Sequence, residues 1–95
     1  MSIAFIGAGN MAMSLIRGLL DSGMQASAIV AADPSQEQRA AAESLGISVF
    51  QQNDLAIKQA AIIVLAVKPQ IAASVVQSLS GVNATQLIVS VAAGI

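Results

Sequence analysis

The sequence predicts an α/β fold, a doubly wound parallel sheet with helices on both faces. Three observations carry that expectation. First, the stretch Ile3-Ala4-Phe5-Ile6-Gly7-Ala8-Gly9-Asn10-Met11-Ala12 is an apolar run that stops at Gly7 and turns through two glycines into a helical pattern. Second, short apolar runs alternate with amphipathic stretches along the whole chain. Such alternation implies parallel strands joined by right-handed crossover helices. Third, residues 60–67 are eight apolar residues in a row, closed by Lys68-Pro69. Unbroken strands of this kind belong to parallel sheets covered on both faces. The expected strand order is 3-2-1-4-5.

Taken in order, residues 2–6 are the first predicted strand. A helix begins near Asn10, with Ala12, Leu15, Ile16, Leu19 and Leu20 on one face at helical spacing. Gly23 is placed to end it. Gly18 sits inside this helix, either for close packing on the sheet or without purpose. Residues 28–32 are the second strand. Asp33-Pro34-Ser35-Gln36 then reads as a helix start, with Asp33 as N-cap, Pro34 at the first helical position and Gln36 completing a capping box. That helix runs to Leu45 and stops at Gly46. Residues 47–50 form the third strand, and Asn53 caps a short helix to about Gln59. The fourth strand covers residues 61–67. Lys68, preceding a proline, is pushed towards extended geometry. Pro69 opens a helix to about Leu79, before Gly81. Residues 87–91 are the fifth strand, and Ala92-Ala93-Gly94 reads as another glycine-containing turn.

The chain of 95 residues is long enough for one domain, so residues 1–95 are read as a single unit. Hydrophobic residues make up 56% and charged residues 9%, which excludes a disordered chain. A membrane-spanning helix needs about 20 apolar residues, far more than the longest run supplies. No basic residue precedes the first apolar run, so a secretory signal is not expected, and the reading is cytoplasmic. There is no cysteine and no histidine, hence neither a disulfide frame nor a Cys- or His-based metal site. The four basic residues, Arg17, Arg39, Lys58 and Lys68, are scattered and form no nucleic-acid footprint. So few charges leave two readings open: apolar surface held against another domain or subunit, or an alanine-rich domain with an ordinary surface.

Gly7-Ala8-Gly9-Asn10-Met11-Ala12 fits Gly-x-Gly-x-x-Ala. Gly7 permits the tight turn, Gly9 lets a diphosphate approach the main chain, and Ala12 keeps the helix close to the sheet. Amides of Asn10 and Met11 would face phosphate oxygens, each such bond contributing about 1.5–3 kcal/mol. An acidic residue about 20 positions on, Asp33, suits a ribose 2′-hydroxyl and favours NAD(H). A carboxylate beside the 2′-phosphate of NADP(H) is repulsive. No arginine follows Asp33 at once, and Arg39 is more than a helical turn along. Asp33 reads equally as a helix cap, and Ser35 and Asn53 could instead donate to a phosphate. A tight β–α turn needing two glycines would leave the same pattern.

Three motifs in order, Phe5-Ile6-Gly7-Ala8-Gly9-Asn10-Met11-Ala12, Leu65-Ala66-Val67-Lys68-Pro69-Gln70 and Ile88-Val89-Ser90-Val91-Ala92-Ala93-Gly94, resemble the pyrroline-5-carboxylate reductases. The resemblance implies a Rossmann-type domain that holds NADP(H) or NAD(H). It also implies reduction of 1-pyrroline-5-carboxylate to L-proline, the last step of proline biosynthesis. In the family a helical domain follows, dimerises and completes the substrate site. The chain therefore reads as a truncated piece, inactive by itself, of a homo-oligomeric enzyme. Many members prefer NADPH, and Asp33 stands where related sequences often have serine or asparagine. Carried over by motif, Ile6, Gly7, Ala8, Gly9, Asn10 and Met11 hold the diphosphate, and Asp33, Ser35 and Asn53 surround the adenosine ribose. Ala66, Val67, Lys68 and Pro69 line the nicotinamide side, with Val91, Ala92 and Ala93 near the ring. Lys68 is a candidate substrate or cofactor contact, not a catalytic acid. Two other functions fit the residues: a coenzyme F420-dependent NADP oxidoreductase, and a non-catalytic dinucleotide-sensing module.

Overall fold

The computed structural model describes residues 2–58, 60–67, 72, 75–77 and 86–91. Strands β1 (Ile3–Ile6), β2 (Ile29–Ala32), β3 (Ser48–Phe50), β4 (Ile62–Leu65) and β5 (Leu87–Ser90) alternate with helices α1 (Asn10–Asp21), α2 (Gln36–Glu43) and α3 (Asn53–Ile57). All pairings are parallel and the sheet order is β3-β2-β1-β4-β5, as the alternation predicts. The central strand β1 is buried along its whole length.

Side chains on a strand alternate between faces, so β1 feeds two cores. Ile3 and Phe5 pack with Ala12, Met13 and Ile16 of α1, with Ile29 and Ala31 of β2 and with Ala42 of α2. Ala4 and Ile6 face the other way, against Ile63 and Leu65 of β4 and Ala56 and Ile57 of α3. Burying a side chain such as Phe5 or Ile16 contributes about 1.5–3 kcal/mol. Both layers lock the orientation of the sheet's carboxyl edge.

Several predicted boundaries move. The ladders are shorter than the apolar runs: Ser2, Ile47, Ala61, Ala66, Val67 and Val91 fall outside the strands. The runs extend past the paired registers, although Ser2, Ala61, Ala66 and Val91 still share main-chain bonds with a neighbouring strand segment. Ala28 belongs to a 3-10 turn, Ala26–Ala28, closed by its amide donating to the Gln25 carbonyl. Leu15 is 38% exposed, while Met13 takes a buried place on α1. A Cβ on Gly18 would meet nothing within 4 Å, so this glycine serves no close packing. Gly23, at φ +107°, ends α1 as predicted, with Met24 N donating to Leu19 O and Gly23 N to Leu20 O. Helix α2 stops at Glu43, two residues short of Leu45, and Gly46 turns the chain at φ +91°. Asn53 is the first residue of α3 rather than its cap, a position held by Gln52. Of the helix predicted from Pro69, the described residues Ala72 and 75–77 are helical. Gln59, Lys68, Pro69, Leu79, Gly81 and Ala92-Ala93-Gly94 lie outside the described residues.

Candidate functional site

The carboxyl ends of all five strands lie side by side. Gly7 N donates to Ala32 O at 2.8 Å, Asp33 N to Phe50 O at 3.1 Å, Ala66 N to Ile6 O at 2.9 Å and Val91 N to Leu65 O at 2.9 Å. These bonds carry the ladder one step past each strand. They set Gly7, Asp33, Ala66 and Val91 in one row along the edge where open α/β sheets bind ligands.

Gly7 has no substitute in this row. Its φ is +100°, and a Cβ there would lie 2.6 Å from the Ala66 carbonyl oxygen. Gly9 differs. Its φ is −79°, ordinary for any residue, and a Cβ would meet the Gln38 Oε1 at an acceptable 3.7 Å. Gly9 is the N-cap of α1 and gives it no side-chain bond, and the first turn contains no acidic residue. The helical ladder begins with Met13 N donating to Gly9 O. Among the described residues none accepts from the amides of Gly9, Asn10, Met11 or Ala12. The positive end of a three-turn helix is thereby left uncompensated at a glycine whose missing side chain keeps the approach open.

Asp33 corrects the sequence reading. It does not cap α2; Ser35 does, accepting from Gln38 N at 3.4 Å. The Asp33 carboxylate instead joins two loops. Its Oδ2 accepts from Ala8 N at 2.9 Å, and its Oδ1 from Ser35 N at 2.8 Å. Ala8 is buried and among the described residues its amide has no other partner, so this bond satisfies a donor that the glycine turn would otherwise strand. Arg39 is also nearer than its spacing suggests. Its side chain reaches back along α2, and Nη1 donates to Asp33 O at 2.9 Å and Pro34 O at 3.0 Å.

A cavity of about 480 Å³ opens over the row, within the range of about 300–1,000 Å³ usual for small-molecule sites. Of the residues singled out in the sequence, Ile6, Gly7, Gly9, Asp33, Asn53, Ala66 and Val67 line it. Ala8 and Ser35 lie behind it, held to Asp33, and Asn10 and Met11 form the first turn of α1. Val91 is not brought to the cavity; it lines an apolar groove on the α1 face with Phe5 and Leu15. Lys68, Pro69, Ala92 and Ala93 are outside the described residues. Sequence reasoning missed Gln38, Pro34 and Val75, which also line the cavity. For Gln38 a signal existed: three residues past a serine cap, it lies on the first turn of α2, at the same sheet edge.

Residues 2–94 match the family described as NADP oxidoreductase, coenzyme F420-dependent. The chain belongs to this family. Among its relatives in sequence is a pyrroline-5-carboxylate reductase of Pseudomonas aeruginosa, 52% identical over 95 residues, covering 98% of this chain and 35% of that protein. The structure of a pyrroline-5-carboxylate reductase from Coxiella burnetii matches with a TM-score of 0.88 at 31% identity, over 96% of this chain and 35% of that one. Plasmodium falciparum pyrroline carboxylate reductase with NADP bound matches over 96% of this chain and 33% of its own length, with a TM-score of 0.79. At 24% identity it shares the fold. This member of the NADP oxidoreductase family thus spans about a third of the length of the reductases it matches. The resemblance carried by its three motifs is borne out.

Proposed function

We propose that this chain is the cofactor-holding domain of a reductase that uses NAD(P)H to reduce 1-pyrroline-5-carboxylate to L-proline. The observation that carries the reading is the uncapped amino end of α1 at Gly9, opening on a cavity lined by Gly7, Asp33 and Val67. The amides of residues 9–12, which have no acceptor among the described residues, fit a diphosphate, and a side chain at Gly9 would narrow that cradle. Bound there, the reduced nicotinamide would supply a hydride to the carbon of the C=N bond. A protonated imine is already electrophilic, so these residues have mainly to bind and orient. Ile6 to Met11 hold the diphosphate, Asp33, Ser35 and Asn53 the adenosine ribose, and Ala66 and Val67 the side towards the nicotinamide. We assign Lys68, Pro69, Val91, Ala92 and Ala93 to the nicotinamide end on the motif resemblance alone.

In this reading residues 1–95 are one domain of a cytoplasmic homo-oligomer, and the helical domain of the family completes the substrate site. A chimera tests it: this chain replaces the matching segment of the Pseudomonas aeruginosa reductase, and imine-dependent oxidation of NAD(P)H is followed. Retained activity supports the reading; a folded, cofactor-binding chimera that forms no proline contradicts it. Proline formation by the 95 residues alone would contradict the need for a second domain. The family description favours one other donor, reduced coenzyme F420. Transfer from it to NADP by the chimera would favour that reading instead.

A further inference from the structure

We infer that Asp33 makes this site select NADH over NADPH, an inference that rests on the dinucleotide reading above. The decisive observation is that the carboxylate is held fast. One oxygen accepts from Ala8 N in the glycine loop and the other from Ser35 N in the β2–α2 loop, at 2.9 and 2.8 Å. Asp33 is only 9% exposed. Turning the carboxylate away from a ligand would break both main-chain bonds and strand the buried Ala8 amide. A carboxylate offers about four acceptor positions, so about two remain for donors in the cavity that Asp33 lines with Gly7 and Gly9. The 2′- and 3′-hydroxyls of an adenosine ribose are such donors. A 2′-phosphate brings about two negative charges and acceptor oxygens, and a tethered carboxylate can neither pair with it nor retreat from it.

The cation on this loop does not reverse the sign. Arg39 Nη1 is engaged by the carbonyls of Asp33 and Pro34, and Arg39 is not among the described residues that line the cavity. It holds the loop from outside. Of Arg39, a phosphate could recruit only the remaining guanidinium donors, and only with Asp33 still in place.

Titration of the chain with NADH and with NADPH, followed by nicotinamide fluorescence, is the test. NADH should bind at least tenfold more tightly. Equal or tighter binding of NADPH overturns the inference and leaves the dinucleotide reading standing. Binding of neither overturns both. Asp33→Ser should move the preference at least tenfold towards NADPH. Asp33→Asn keeps one acceptor oxygen for the loops, and serves if the serine variant unfolds. An unchanged preference in a folded variant overturns the inference. Arg39→Ala should not weaken NADPH more than NADH; selective loss of NADPH would assign the choice to Arg39 and overturn it as well.

Discussion

Helices α1 and α2 both start at the carboxyl edge of the sheet, each directly after a strand, yet their first turns are built in opposite ways. Helix α2 satisfies itself: Ser35 Oγ accepts from Gln38 N, and Glu37 sits in the first turn against the positive end of the helix. Helix α1 has a glycine cap, no side-chain bond and no acid in its first turn. A capping side chain stabilises a helix by about 0.5–2 kcal/mol. Helix α3 also lacks a capping side chain, at Gln52, but carries Asp54 in its first turn; α1, which opens from the central strand, has neither. Where a fold leaves donors unused although serine and aspartate stand close by in the β2–α2 loop, a ligand is the economical reason. The two loops also divide the labour. The β1–α1 loop offers main-chain amides, which suit any diphosphate. The β2–α2 loop offers the carboxylate of Asp33, which in the proposed reading distinguishes one ribose from another.

The largest way to break this contrast is Gly7→Ala. It forces a side chain into φ +100° and within 2.6 Å of Ala66 O. We expect a loss of about 2–4 kcal/mol, from left-handed strain plus overpacking. In a domain this small that lowers the melting temperature by roughly 10 °C or more, measurable by circular dichroism. Asp33→Ala removes the acceptor of two amides, one of them buried, and should cost about 2–3 kcal/mol in the same measurement. Gly9→Ala sharpens the comparison because it separates fold from ligand. The added methyl has room and an ordinary φ, so stability should fall by no more than about 1 kcal/mol. Dinucleotide affinity should nonetheless fall tenfold or more, about 1.4 kcal/mol. Ser35→Ala removes a long cap bond of 3.4 Å and should cost only about 0.5 kcal/mol. If it instead abolished dinucleotide binding, the division between the two loops would be wrong.

The β1–α1 half of the site was legible in the sequence because its signals are local. A strand stopping before Gly7, a second glycine and a small residue at Ala12 occupy fixed offsets within one short stretch. The β2–α2 half was only partly legible. Asp33 and Ser35 are both good capping residues, and Pro34 between them suits either register. What decided the matter is the bond from Ala8 N, 25 residues away, which recruits Asp33 and leaves the cap to Ser35. Arg39 escaped for a similar reason. A guanidinium can reach back six residues to a carbonyl, and no spacing rule announces it. The strand order needed only the alternation of elements, whereas the exact ladder ends depended on hydrogen bonds that apolar runs do not encode.

The most direct test of the α1 cradle is an amide NMR titration of the chain with NADH. The account predicts shifts concentrated on the amides of residues 9–12, together with Ala8, Ser35 and Val67. Gly23 and Gly46, which end their helices away from the cavity, should stay still. Shifts confined to Leu15, Gly18 and Val89 in the apolar groove, or no shifts at millimolar NADH, would contradict it.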